Sequence, residues 1–373
     1  MPSLSQLTQS LKSEARRLGF TVSGCAPASS PNTFPEFQQW LHQKFHGEME
    51  YMETRREAYS DPDFVMKNSV SVMMLAMPYQ TQQPITDSPL SGRIARYAWG
   101  QTDYHDLIHK RLKELCRHIS TILPNAKSRG VVDTAPLLER EFARSAGIGW
   151  AAKNTMLINK QIGSYFFLAA VLIDQPLEWD DPFETFHCGT CTACIDACPT
   201  NAFVGPQILD ANKCISYLTI EHRSPIAVEL RPQMQNWILG CDICQEVCPW
   251  NRKAPLATEP AFEPLPGHNA LSLSELFELS DDEFRARFRK TPLWRPKRRG
   301  ILRNAAIALG NEAHPESIRP LRLGINDSEP LVRGASAWAL RQIEHSDSAS
   351  ALAEREKVET DAYVLSEIEG RYK

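Results

Sequence analysis

Eight of the chain's ten cysteines fall between residues 188 and 248, and their spacing is the strongest chemical signal in the sequence. The first run reads Cys188-Gly-Thr-Cys191-Thr-Ala-Cys194-Ile-Asp-Ala-Cys198-Pro199. Cys214 follows alone, and then Cys241-Asp-Ile-Cys244-Gln-Glu-Val-Cys248-Pro249. Cys-x2-Cys-x2-Cys-x3-Cys-Pro is the spacing with which bacterial ferredoxins hold [4Fe–4S] clusters: three thiolates wrap three corners of one cube, and the fourth serves a second cube. The second run is one cysteine short of that pattern, and Cys214 supplies it. Cluster one is therefore assigned to Cys188, Cys191, Cys194 and Cys248, and cluster two to Cys198, Cys214, Cys241 and Cys244. Two four-thiolate zinc sites are the competing reading, since they also use Cys-x2-Cys pairs. The third cysteine of the first run and the Cys-Pro after x3 in both runs weigh against zinc. Two clusters in one module mean electron transfer. Cys25 and Cys116 stand alone in apolar or helical surroundings and read as buried small hydrophobes.

The second chemical feature is charge. Arg285, Arg287, Arg289, Lys290, Arg295, Lys297, Arg298, Arg299 and Arg303 succeed one another with no acidic residue between them. The whole chain of 373 residues carries 41 Lys plus Arg against 45 Asp plus Glu, a net charge of −4. Overall charge thus excludes a protein that coats nucleic acid, and the basic run stands out from an acidic remainder. Phe288 and Trp294 interleave the charges and offer flat faces for stacking on bases. The run predicts nucleic-acid binding, with RNA favoured because no motif for reading a major groove is visible. A merely solvated charged face is the plain alternative.

These residues need a scaffold. With 42% hydrophobic and 23% charged residues the chain is globular in composition. Val70–Met77 and Tyr165–Ile173 predict buried strands, and Asp106–Ile122 shows helical spacing through Leu107, Leu112, Leu115 and Ile119. The first twenty residues carry Leu4, Leu7, Leu11, Ala15 and Leu18 at helical spacing, an amphipathic helix rather than a signal peptide. Tyr165–Ile173, the longest apolar run, is far too short to span a membrane. A soluble, cytoplasmic protein without a membrane partner is expected. Proline-containing stretches at 78–89 and 174–182 mark a loop and a boundary, and Ala254–Pro266 reads as a linker. Leu302–Gly310 aligns with Val332–Leu340 at an offset of 30 residues, which predicts HEAT-like stacked helices, with a plain helical bundle as the alternative.

Three stretches of the first half look functional: His46–Met52, Arg96–His105, and Val131–Arg140 continuing to Gly147–Asn154. Each has a bland account. Asp133 or Thr134 ahead of Pro136 suits a helix start, and Gly147 and Gly149 suit helix stops.

Taken with the cysteines, these stretches resemble the epoxyqueuosine reductase family, and the likeness runs from the first helix to the C-terminal repeats. Arg96–His105, Asp133–Arg140, Gly147–Asn154 and the eight-cysteine module carry it. The resemblance implies an α+β architecture in three parts. These are a nitroreductase-like cobalamin-binding domain (1–180), a ferredoxin-like domain with two [4Fe–4S] clusters (181–255) and a HEAT-like tRNA-binding domain (256–373). It implies reduction of the epoxide of epoxyqueuosine, at the anticodon wobble position of tRNA, to queuosine. The expected participants are cobalamin, the two clusters and an external low-potential electron donor, in a monomeric enzyme. Asp133 resembles the family's acid, and to stay protonated near neutral pH it would need burial or a negative neighbour. Tyr104, His105, Arg140, Lys153 and Asn154 are expected at the cofactor, and the nine basic residues at the tRNA. This chain has one residue more than is usual between Gly100 and Asp103, and Ala151-Ala152 where a glycine commonly precedes the lysine. The cobalamin motif Asp-x-His-x-x-Gly is absent, because Ile108 stands where its glycine would be. Other classes that pair such parts are a reductive dehalogenase and a non-enzymatic electron carrier docked on RNA.

Overall fold

The computed structural model describes residues 3–85 and 89–371. Its first sheet is built on the two apolar runs. Ser71–Pro78 pairs antiparallel with Phe166–Ile173, in register from Ser71↔Ile173 to Pro78↔Phe166. Val22–Pro27 joins the free edge of the former and Ser128–Val131 that of the latter, completing four antiparallel strands. Both faces are covered, so the central strands read as unbroken apolar runs instead of alternating. Met73, Leu75, Met77, Ala169 and Val171 pack towards helices Leu4–Arg17 and Tyr104–Ile122. Met74, Ala76, Ala170 and Leu172 share a core with Phe142 and Ala143 of helix Glu139–Ser145.

A second sheet crosses the expected boundaries. Ser91–Ile94 runs parallel to Trp237–Leu239 and antiparallel to Leu271–Ser272. Around it one apolar core extends from Ile94 and Trp99, through Leu218 and Ile238, to Leu302, Trp338 and Ile368. Residues 91–99, placed with the first domain by chain order, therefore pack with the cluster-bearing and helical parts. Burial of apolar surface has no regard for sequence position.

The C-terminal part consists of helices Lys297–Glu312, Ile318–Gly324, Pro330–Arg341, Ser346–Glu356 and Ala362–Glu369. The two repeat copies are the long helices of this stack, in direct contact. A Cβ on Gly310 would lie 2.7 Å from the Trp338 ring, and one on Gly334 only 2.2 Å from Tyr363, so these glycines permit the close approach. The last helix is fixed by a buried pair, Arg231 to Glu367 at 2.6 Å. Among the described residues no helix is long and apolar enough to cross a membrane.

Candidate active site and cluster-binding module

Asp133 lies on the turn between strand Ser128–Val131 and helix Glu139–Ser145. Its Oδ2 accepts the Tyr104 hydroxyl at 2.9 Å and faces His105 Nε2 at 3.1 Å. His105 Nδ1 lies 2.7 Å from Asp103 Oδ1, and that same oxygen accepts the His105 backbone N–H, so Asp103 both caps helix Tyr104–Ile122 and orients the imidazole. Tyr104 stacks on Phe167 at 4.1 Å and on His105 at 4.0 Å, which ties both rings to the central sheet. The extra residue before Asp103 leaves this geometry intact: Gln101 N–H bonds Ala261 O at 2.9 Å and Asp103 N–H bonds Lys290 O at 2.7 Å.

The protonation differs from the sequence-based expectation. Burial alone would lower His105, but hydrogen bonds to Asp103 and Asp133 and the charge of both carboxylates raise it to about 9. His105 in turn holds the Asp133 carboxyl below the usual carboxylate range, with help from the Tyr104 hydroxyl. Both shifts favour the charged imidazole and the carboxylate of an Asp133–His105 pair over an isolated carboxylic acid. Burial, and next the charge of Asp133, push Glu139 up to about 8. The Asp133 side chain is nevertheless 62% exposed. Solvent at this exposed carboxyl moderates the desolvation, and a bulky occupant would complete it. Burial raises the nearby Tyr51, and the charges of Glu221, Arg295 and Asp133 all bear on it.

Several of the eight thiols are raised by burial and by neighbours from their own expected set. Cys194 and Cys248 are raised by burial and by Cys188, and Cys191 also bears on Cys248. Burial raises Cys214, and Cys198 adds to it; burial likewise raises Cys241 and Cys244, both facing Cys214. Cys194, assigned to the other set, also bears on Cys244. No three such side chains among the described residues converge on a position for one metal ion. A four-thiolate zinc site needs all four sulfurs about 2.3 Å from one ion, whereas a cubane offers each thiolate a separate iron. Short helices Ala193–Asp196 and Ile243–Glu246 follow corresponding steps of the two motifs.

Three of the expected cofactor residues serve the framework. Trp150–Ala151 and Leu157–Ile158 form a small hairpin, and its tip reaches both cluster loops. Lys153 Nζ donates to Gly189 O at 2.8 Å and Cys191 O at 2.9 Å, and Asn154 Nδ2 to Cys244 O at 3.2 Å. Arg140 donates to Thr155 O at 2.5 Å, bracing the same hairpin. Tyr104 and His105 act on Asp133, as above. The stretch at His46 is a stitch beside Cys214: Gly47 has φ +59, and a Cβ there would strike the Tyr217 hydroxyl, to which Glu48 N–H donates at 2.5 Å. Buried Arg96 pairs with Asp242 at 3.1 Å and Glu246 at 2.9 Å, two carboxylates within the second cysteine run. Sequence reasoning missed Asp103, Glu139 and Tyr51 as separate contributors, although all three lie in or beside the stretches it marked. Cys25 is fully buried, as expected, and Cys116 is partly so.

The basic run divides. Arg303 is 1% exposed and donates to Leu218 O, His222 O and Ser224 O, so it is no RNA contact. Arg298 is spent on Asp327 at 2.8 Å and on Leu279 O. Both lie on helix Lys297–Glu312, whose inner face is decided by packing. Phe288 is fully buried against Phe284 and cannot stack on a base, while Trp294 is half-buried with Lys297 over its ring at 4.1 Å. Arg287 faces Glu275 and Arg295 pairs with Glu221 at 3.0 Å. Arg285, Arg289, Lys290, Lys297 and Arg299 remain exposed, and Lys290 and Arg295 lie towards Asp133.

Comparison with known proteins follows the same division. Residues 187–251 match a 4Fe-4S double cluster binding domain, 60–134 the domain described as epoxyqueuosine reductase QueG, and 298–370 HEAT repeats. The epoxyqueuosine reductase of Pseudomonas aeruginosa is 40% identical over 348 residues, covering 91% of this chain and 96% of that one. The Escherichia coli enzyme is 39% identical over 343 residues, covering 91% and 90%. Among solved structures, an epoxyqueuosine reductase with an epoxyqueuosine-modified tRNA-Tyr stem loop superposes with TM-score 0.90, at 30% identity and 98% coverage of both chains. A Bacillus subtilis epoxyqueuosine reductase, with the catalytic loop that bears its aspartate swung out of the active site, gives TM-score 0.90 at the same identity and coverage. Likeness at this level over nearly the full length, together with the double-cluster module and the helical repeats, means that the chain belongs to the epoxyqueuosine reductase family.

Proposed function

We infer that this protein reduces the epoxide of epoxyqueuosine in tRNA to the alkene of queuosine. The observation that carries the reading is the Asp133–His105–Asp103 set, in which the imidazole holds a proton behind an Asp133 carboxyl that stays open to solvent. Removing an epoxide oxygen as water takes two electrons and two protons. Cobalamin supplies, when bound, a nucleophile for an epoxide carbon stronger than any side chain, and the clusters supply single electrons. Tyr104, His105 and Asp133, which meet on the exposed side of the central sheet, are the residues that would hold such a group.

The chain's own part is protonation and placement. A ring-opened oxygen is a poor product unless protonated as it forms. Asp133 stands exposed to pass that proton, His105 Nε2 is the reservoir behind it, and Asp103 keeps the imidazole charged and oriented. Tyr104 holds Asp133 Oδ2 in place. The remaining exposed cations, Arg285, Arg289, Lys290, Lys297 and Arg299, would meet phosphates, and Arg295 with Tyr51 would border the modified nucleotide. The loop swung out in the Bacillus subtilis relative suggests that the Asp133 loop also moves. A functional division at 1–180, 181–255 and 256–373, a cytoplasmic setting, a monomeric state and an external low-potential donor complete the proposal.

The test is mass spectrometry of nucleosides from epoxyqueuosine-containing tRNA after anaerobic incubation with the reconstituted protein, cobalamin and a strong reductant. Loss of one oxygen atom, dependent on cobalamin, is expected. Absence of that loss with both clusters intact would overturn the assignment. Asp133→Asn should lower turnover by about 10²–10⁴-fold, the range for a lost general acid, and full turnover by that variant would remove Asp133 from the chemistry.

A further inference from the structure

Asp133 has φ +56, in the left-handed region that a residue with a side chain keeps only when its surroundings hold it there. Its carboxylate is gripped by Tyr104 and His105, but those contacts depend on where the peptide points. The peptide has a grip of its own: Asp133 N–H donates to Glu139 Oε1 at 3.0 Å. Thr134 N–H closes on Val132 O at 2.6 Å, and Arg55 reaches Thr134 O at 3.3 Å. Glu139 is the first residue of helix Glu139–Ser145, which the buried Phe142 and Ala143 anchor to the sheet. The acceptor is thus mounted on a fixed element, while the residue it holds is on the turn.

We propose that Glu139 is the positioning residue of this site: its carboxyl oxygen fixes the Asp133 peptide in the left-handed conformation that aims the Asp133 carboxylate at Tyr104 and His105. The proposal rests on the reading that Asp133 passes the proton. It does not depend on the ionisation of Glu139, since a protonated carboxyl still accepts through its carbonyl oxygen. Glutamine offers the same oxygen at the same reach and cannot donate an acidic proton, so it separates placement from proton transfer.

The experiment compares Glu139→Ala and Glu139→Gln in the cluster-loaded protein, by single-turnover kinetics with cobalamin and modified tRNA and by amide hydrogen exchange of peptides covering 132–138. Glu139→Ala should lose about 100-fold in turnover, the scale of a misplaced catalytic group. Its Asp133 amide should exchange about tenfold faster, as local opening frees it. Glu139→Gln should restore both to within about fivefold of the parent, by keeping the near-attack placement. A Gln variant as inactive as Ala, with its loop still protected, would overturn the proposal and make Glu139 a proton donor. Unchanged exchange in Glu139→Ala would overturn it as well. Should Asp133→Asn keep full turnover, the catalytic reading fails, whereas the exchange arm still reports on the peptide's anchor.

Discussion

The cysteine module and the basic segment are both runs of like residues, and the fold treats them in opposite ways. The charges that bear on Cys194, Cys214, Cys241, Cys244 and Cys248 come mostly from members of the set to which spacing assigns each. Of the nine cations between 285 and 303, Arg303 is buried under three carbonyls, Arg298 is tied to Asp327, and Arg287 and Arg295 face carboxylates. A cysteine sulfur sits one bond beyond Cβ, so local backbone nearly decides its place. An arginine reaches far, and the helix face that carries it is chosen by what packs there. Spacing is therefore a reliable guide to short ligands and a poor one to long cations.

The largest effect that would break this contrast is at Cys244, on which Cys214 and Cys198 of its own assigned set and Cys194 of the other all bear. Cys244→Ser should reduce bound iron from about eight to about four atoms per chain, as expected for the loss of one [4Fe–4S] cube. It should also abolish epoxide reduction, measured by iron analysis and nucleoside mass spectrometry; full iron in this variant would dissolve the assignment of cluster two. Next comes Arg303→Ala, which strands buried carbonyls and should cost about 3 kcal/mol of stability in a denaturant titration. A stable variant with weakened tRNA binding would return Arg303 to the interface.

The His105 pair sharpens the contrast from the side of chemistry. Its folded value of about 9 lies above the ordinary 6.5, so its contribution to stability is complete below that lower value and is lost as pH rises through about 9. The proton needed for turnover disappears over the same upper limb, so single-turnover rate should fall about tenfold per pH unit above it, as for any required acid. Asp103→Asn should move that limb to lower pH. The smallest effect belongs to the free cations. Arg289→Ala or Lys290→Ala should weaken tRNA binding about two- to fivefold and flatten the salt dependence by about 0.7 per charge removed, with no change in melting temperature.

Much of the scaffold was legible because its signals are local. The apolar runs near 70 and 165 became the central strands, the heptad-like leucines of 107–119 a helix, and the 30-residue offset a pair of stacked helices. The site was half legible. The motif residues Tyr104, His105 and Asp133 do meet, and the pairing with His105, itself oriented by Asp103, lowers Asp133 where the sequence alone pointed to an isolated acid. Lys153 and Asn154, expected at the cofactor, bond to carbonyls of the cluster loops, which their place on a short hairpin does not foretell from sequence.

By itself the sequence determined the double-cluster module, the central strands and the helical repeat, all of which follow from residue type and short-range period. Only the tertiary structure decided that residues 91–99 belong to the later core, that Arg303 faces inward, and that Glu139 holds the Asp133 peptide. Each of these depends on which surfaces close against one another. Burial and pairing between residues far apart in the chain set the direction of a long side chain and the home of a proton, and no local pattern encodes them.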